Sequence, residues 1–390
     1  MLYLFNNIKK KEIFDAIVSK NKEEAVSLLL DFGISFGLNG NLYKKYLIYV
    51  LIYNDNSYTR AIEKGLKIEG NTNYIDLDLK YFHKLYNEEF LDSDITDFKF
   101  LSSTGDEYLR PLINEIYNNI SDNSYETFKN AITSFYINRG LGEMAVYKAF
   151  RVSNGILKPI KHVLDVSFDD LIGYDEQKRL LKENTYNFIN GKTYNNALLY
   201  GDSGTGKSTS IKALLNEYFD MGLRIIEVYK HQMQEISKII NKLKNRPYYY
   251  IIYMDDLSFE EDEIEYKYLK SIIEGGIEPK PNNVAIYATS NRRHLIKETM
   301  ADNGGVFDDL HRNETQAEKL SLAYRFGLQI YYSSLSPQEF KKMVEELAYR
   351  NDIKMPLDEI IKEASKWELT YGSLSGRCAQ QFISYLANKE

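Results

Sequence analysis

The run from Gly201 to Ser208, Gly-Asp-Ser-Gly-Thr-Gly-Lys-Ser, has the spacing G-x-x-x-x-G-K-[ST]. Gly201, Gly204 and Gly206 let a backbone turn tightly, so that successive N–H groups point at phosphate oxygens. The helix expected to follow adds its positive N-terminal end. Lys207 is then expected to reach the β- and γ-phosphates of a nucleotide, and Ser208 to place its hydroxyl on Mg²⁺. The expected nucleotide-binding stretch is Asp202, Ser203, Gly204, Thr205, Gly206, Lys207, Ser208 and Thr209.

Two further strand ends supply the other groups such chemistry needs. YYYIIYMDD, residues 248–256, closes an apolar run with Asp255 and Asp256. Asp255 is placed to hold the metal side. Asp256 stands where many NTP hydrolases carry a glutamate that polarises the attacking water, and an aspartate reaches about 1.5 Å less far, which predicts slow turnover. VAIYATSN, residues 284–291, ends in Ser290 and Asn291, an unusual finish for a buried strand, and the Asn291 amide could orient the lytic water. A guanine-reading NKxD segment is missing after the later strands. The similar string NKLK at 241–244 falls in a helical stretch and lacks the aspartate, so a GTPase is disfavoured.

These tips need a scaffold. NALLYG (196–201), LRIIEVY (223–229), YYYIIYMDD, VAIYATSN and LQIYYSS (328–334) are apolar runs separated by helical spacing, the pattern of a parallel sheet with crossover helices. The expected fold class is therefore α/β, a five-stranded parallel sheet with helices on both faces. From residue 7 to about 150 apolar residues recur every three or four positions, which predicts an all-α N-terminal domain. Beyond Ser336 and Pro337 the pattern is helical again. The expected division is 1–164, 165–335 and 336–390. VSNGILKPIKHVLDVS, residues 152–167, reads as the connection between the first two.

Bulk properties narrow the partners. A formal charge of −7 provides no global basic field, so sequence-independent nucleic-acid binding is not favoured. Cys378 is the single cysteine, which suits a reducing, cytoplasmic setting. The apolar runs YLIYVLIY (46–53) and YYYIIYM (248–254) are far shorter than the roughly 20 residues of a membrane helix. Thirty-three tyrosines are spread evenly along the chain, as a codon bias would leave them. His294 and His311 lack metal-ligand spacing. The stretch 301–320 is a long connection, a candidate partner-contacting element.

Taken together, these residues resemble the AAA+ ATPase superfamily, in which the strand ending in Asn291, the sensor 1 position, lies between the Walker A and Walker B strands. The resemblance implies ATP and Mg²⁺ as cofactors. SFDDLIGYDEQKRLLKENTYNFI (167–189) is similar to the start of the superfamily core and implies that Ile172 and Gly173 lie against adenine. YRFGLQI (324–330) implies that Arg325 is an arginine finger for a neighbouring copy. GSLSGRCAQQF (372–382) resembles the sensor 2 helix of a C-terminal lid, with Arg377 facing the γ-phosphate. The catalytic set so implied is Lys207, Asp256, Asn291, Arg325 and Arg377, with Ser208 and Asp255 on the metal. A closer resemblance, over about 140–385, is to the bacterial family known as domain of unknown function 815. It rests on LLYGDSGTGKS, DDLSFEE, IYATSNRRHL and EKLSLAYRFGL. Tyr324 departs from the aspartate usual before that arginine.

Three tasks suit this engine. The first is an ATP hydrolase that assembles with its own copies and remodels or loads a protein partner held by the N-terminal domain. The second is a nucleotide-dependent DNA factor, and the third a slow ATP-binding switch. Arg292 and Arg293 are assigned no role.

Overall fold

The computed structural model describes residues 2–66, 73–89, 91, 93–99, 105–259, 263–274, 280–292, 295, 322–371 and 374–389. Arg293, His294, His311 and the stretch 301–320 lie outside the described residues. Contacts divide the chain into two units, Met1–Lys148 with Pro159–His162, and Ala149–Lys158 with Val163–Glu390.

The first unit is helical and is built around Leu42–Ile52, nearly every residue of which is buried. The apolar run that begins at Tyr46 is thus the unit's central helix. Tyr43 and Tyr46 bury their rings and satisfy their hydroxyls, Tyr43 donating to the Leu85 carbonyl at 2.8 Å and Tyr46 to that of Lys10 at 3.0 Å. A buried phenol without such a partner would cost about 1–3 kcal/mol. Gly37 closes Lys22–Phe36 in the left-handed region, and Ser124 caps Tyr125–Asn138.

Save Pro159 and Ile160 at the end of one strand, which group with the first unit, the second unit holds the sheet. Its strands are β1 (Ala149–Ser153), β2 (Ile156–Ile160), β3 (Ala197–Gly201), β4 (Leu223–Glu227), β5 (Tyr249–Met254), β6 (Val284–Ser290) and β7 (Leu328–Tyr332), in the order β2-β1-β4-β5-β6-β3-β7. The expected five strands become seven. The two extra span 149–160, within the 1–164 expected to be all-α and running into the stretch read as a connection, where Asn154 and Gly155 both take positive φ and close a hairpin. Asn-Gly is the favoured pair for that turn, because its twist matches that of the flanking strands. Every pair from β1 to β7 runs parallel, and the hairpin makes the sheet mixed. β6 is buried along its whole length, as a central strand covered on both faces must be. The order puts the tips of β3, β5 and β6 side by side.

Where the chain leaves β3 it nearly touches β7. A Cβ on Gly201, at φ +135°, would lie 2.0 Å from the Tyr332 carbonyl oxygen, and both positions sit in paired strands that cannot shift independently. Gly201→Ala is expected to destabilise the fold by more than about 3 kcal/mol. Urea unfolding followed by far-ultraviolet circular dichroism measures it.

Three helices end the chain, Pro337–Arg350, Leu357–Tyr371 and Gly376–Ala387. Ser336 and Glu339 form a reciprocal capping box with Pro337 at the first position, so the start read from the sequence has a local cause. Phe340, Val344, Ile360, Phe382 and Ile383 give the three helices a shared core, and Ile172 packs against it.

Candidate functional site

Above the tips of β3, β5 and β6 lies a cavity of about 490 Å³. Ser203 to Thr209 line its floor, Asp255, Asp256, Thr289 and Asn291 one wall, and Leu171, Ile172 and Tyr174 another. Met343, Leu347, Arg377 and Gln380 of the C-terminal helices complete it.

The loop after β3 leads into the helix Lys207–Tyr218, whose N-cap is Gly206 at φ +94° with no side-chain cap. Its first N–H groups are therefore available to an anion rather than taken by a capping side chain. Lys207, 6% exposed, directs Nζ to the carbonyls of Gly201 (2.8 Å) and Asp202 (2.6 Å) and to Asn291 Oδ1 (3.1 Å). Burial holds this ammonium below the ordinary lysine value, against the pull of Asp202, Asp256 and Asp255.

The carboxylates follow from the sheet order. Asp255 Oδ1 accepts from Ser208 Oγ at 2.6 Å. Burial would raise the Asp255 carboxyl, but hydrogen bonds from Ser208 and Thr289 outweigh it and hold the group below its usual value. Asp256 sits in the left-handed region at φ +49°, uncommon for any residue but glycine. Its Oδ1 accepts from Asn291 Nδ2 at 2.7 Å. The Asn291 amide thus touches Lys207 with its oxygen and Asp256 with its nitrogen.

Arg377 enters from the C-terminal helices. Its backbone N–H donates to the Gly204 carbonyl at 3.2 Å, and a Cβ on Gly204 would lie 3.0 Å from that of Arg377. The glycine lets the helix end settle on the loop.

Of the residues expected from the sequence, Ile172, Ser203 to Ser208, Thr209, Asp255, Asp256, Asn291 and Arg377 share this one cavity. Gly173, Asp202 and Arg325 are not among its lining residues. Asp202 turns its carboxylate to Ser334, accepting from Oγ at 2.6 Å and from N at 3.1 Å, and contributes its carbonyl to Lys207 instead. Gly173 sits at φ +78° in the turn before Asp175–Ile189. Half-buried Arg325 pairs Nε with Glu274 Oε1 at 2.7 Å. Sequence reasoning passed over Tyr174, which packs on Tyr332 at 5.2 Å between centroids and donates to the Ser333 carbonyl at 2.9 Å. It also passed over Thr289. Strand alternation was the available signal there, because residues 289 and 291 share a face while Ser290 points away, to the Leu257 carbonyl.

The donor set fits a magnesium nucleotide. Ser208 and Asp255 are hard oxygen donors. Among the described residues no cluster of three His, Cys, Asp or Glu side chains could hold an ion alone, so a divalent cation here would draw its remaining ligands from phosphate and water, as Mg²⁺ does. The apolar wall of Ile172, Tyr174, Met343 and Leu347 offers a surface for a flat base. Among the described residues no helix is long and apolar enough to cross a membrane.

Residues 143–390 match the model of a family described as "Protein of unknown function (DUF815)". Among solved structures, a RuvB variant from Thermotoga maritima is 16% identical over 56% of this chain, with TM-score 0.39. This chain covers 63% of that one, less than two thirds of its length. The Thermotoga maritima RuvB Holliday junction branch migration motor is 15% identical over 57% of this chain and 71% of its own, with TM-score 0.33. The FIGL-1 AAA domain in complex with ADP is 13% identical over 58% and 74%, with TM-score 0.39. No curated protein matches the sequence. With more than half its length matched by that one model, the chain belongs to the DUF815 family.

Proposed function

We propose that this protein binds ATP with Mg²⁺ in the cavity above β3, β5 and β6 and hydrolyses it, as an assembly of its own copies acting on a protein partner. The observation that carries the reading is one hydrogen-bonded chain, Lys207 to Asn291 to Asp256, beside Ser208 bonded to Asp255. Phosphate lysine, metal carboxylate and candidate base thus share a few ångströms. Lys207 binds the β- and γ-phosphates, Ser208 and Asp255 hold the metal side, and Asp256 takes a proton from the attacking water. Asn291 orients Asp256 and reports on Lys207. Arg377 closes the γ-phosphate side from the C-terminal lid. A magnesium ion held by Ser208 and Asp255 would neutralise phosphate charge.

Arg325 stands outside this cavity, which suits a finger offered to a neighbouring copy. A partner that is protein rather than nucleic acid is favoured by the acidic balance of the chain. The lone cysteine suits the cytoplasm. The test is Mg-ATP turnover by the purified full chain over a range of protein concentrations. Turnover per subunit is expected to rise with concentration as copies associate. A rate per subunit that stays constant down to a dilute monomer removes the shared-site part of the reading, and no turnover at any concentration removes hydrolysis.

A further inference from the structure

We infer that Thr289 is a positioning residue that sets the two aspartates for the metal and the water, an inference that rests on the Mg-ATP reading above. Thr289 lies on β6 two residues before Asn291, facing the same side, and is 1% exposed. Its Oγ1 is 2.6 Å from Asp255 Oδ1 and 2.9 Å from the backbone nitrogen of Asp256. The direction of both bonds is fixed by chemistry. Asp256 N–H can only donate, so the threonine oxygen accepts there, and its single proton goes to the Asp255 carboxylate.

The surroundings make this a clamp. The Thr289 carbonyl accepts from Leu257 N at 2.7 Å, so residue 289 holds the turn 255–257 by backbone and side chain together. Asp256, inside that turn, is the residue at positive φ, a conformation that persists only where neighbours over-determine it. Tyr253, buried and two residues before Asp255 on β5, brings its phenol beside Asp255, Ser208 and Thr289.

Ser208 and Thr289 both bond Asp255 Oδ1, yet they differ in what else they can do. Ser208 is the hydroxyl a metal ion would claim, whereas buried Thr289 stays with the protein. Loss of its hydroxyl frees Asp255 to rotate and leaves the Asp256 N–H without its acceptor. Outer partners of this kind typically carry 10- to 100-fold in metal affinity.

The test uses a fluorescent ADP analogue and the full chain, titrated with and without Mg²⁺, alongside thermal unfolding. Thr289→Val nearly conserves shape and removes the hydroxyl. Its metal-free nucleotide affinity is expected to stay within about twofold of wild type, while the Mg²⁺ needed for half-saturation rises about 10- to 100-fold. Thr289→Ser is expected to restore the wild-type value. Thr289→Ala replaces the valine variant should that not fold, and failure of both to fold marks Thr289 as structural and overturns the inference. Unchanged Mg²⁺ dependence overturns it as well, as does an equal loss with and without metal. If wild type itself binds no nucleotide, the Mg-ATP reading has failed rather than the role of Thr289.

Discussion

Lys207→Ala is expected to lower ATP turnover by at least about 10³-fold, equivalent to about 4 kcal/mol of transition-state stabilisation. The side chain gathers three oxygens within 3.1 Å, two on the phosphate loop and one on Asn291, and alanine leaves all three without the ammonium. One effect opposes the loss. Arg377 also brings positive charge into the cavity, and removing Lys207 relieves their repulsion. In an open, wet cavity that relief is worth on the order of 1 kcal/mol, too little to offset what goes. The fold should survive. Lys207 is the first residue of its helix, where alanine is a good helix former, so thermal unfolding is expected to change little. Turnover, nucleotide affinity and unfolding measured together separate the cases. A folded variant that retains wild-type turnover would show that this lysine faces no phosphate during the reaction.

Phosphate chemistry admits few residue types at few spacings, which is why the loop from Gly201 to Ser208 and the Asp255–Asp256 pair are legible in one dimension. The strands behind them are legible for a different reason. Buried parallel strands are continuous apolar runs, and β3, β5 and β6 each announce themselves that way. β2 does not. Ile-Leu-Lys-Pro-Ile is a partly exposed strand at the end of the sheet, with neither a clean run nor a clean alternation, and only the Asn154–Gly155 turn marked it. Thr289 was hidden by neighbours. Three polar residues in a row at a strand end draw the eye to the last, whereas the period-two rule separates 289 and 291 from 290 and sends the outer two toward the site. The pairing of Arg325 with Glu274 joins residues 51 apart in sequence, and no local pattern specifies such a contact. Likewise, the settling of Arg377 on Gly204 requires the C-terminal helices to fold back over the loop, a consequence of their shared core with Ile172.

Arg325→Ala is expected to reduce turnover by about 10³- to 10⁵-fold while leaving Mg-ATP affinity within a few-fold of wild type. Two roles compete for this arginine, and their magnitudes lie far apart. Its pairing with Glu274 is partly solvent-exposed, with 45% of the glutamate side chain open, and such pairs contribute about 0–1 kcal/mol. A purely structural role therefore predicts less than about a tenfold change. A finger reaching a neighbour's γ-phosphate supplies roughly 4–7 kcal/mol, so giving up Glu274 costs little against what the transition state returns. Mixing decides between them. Arg325→Ala keeps an intact cradle and lacks the finger, whereas Lys207→Ala keeps the finger and lacks the cradle. If the two groups meet across a seam between copies, combining the inactive variants forms some seams with both, and turnover returns. If Arg325 serves its own cradle or only Glu274, the mixture stays as inactive as its parts, because no pairing of copies brings both groups to one nucleotide.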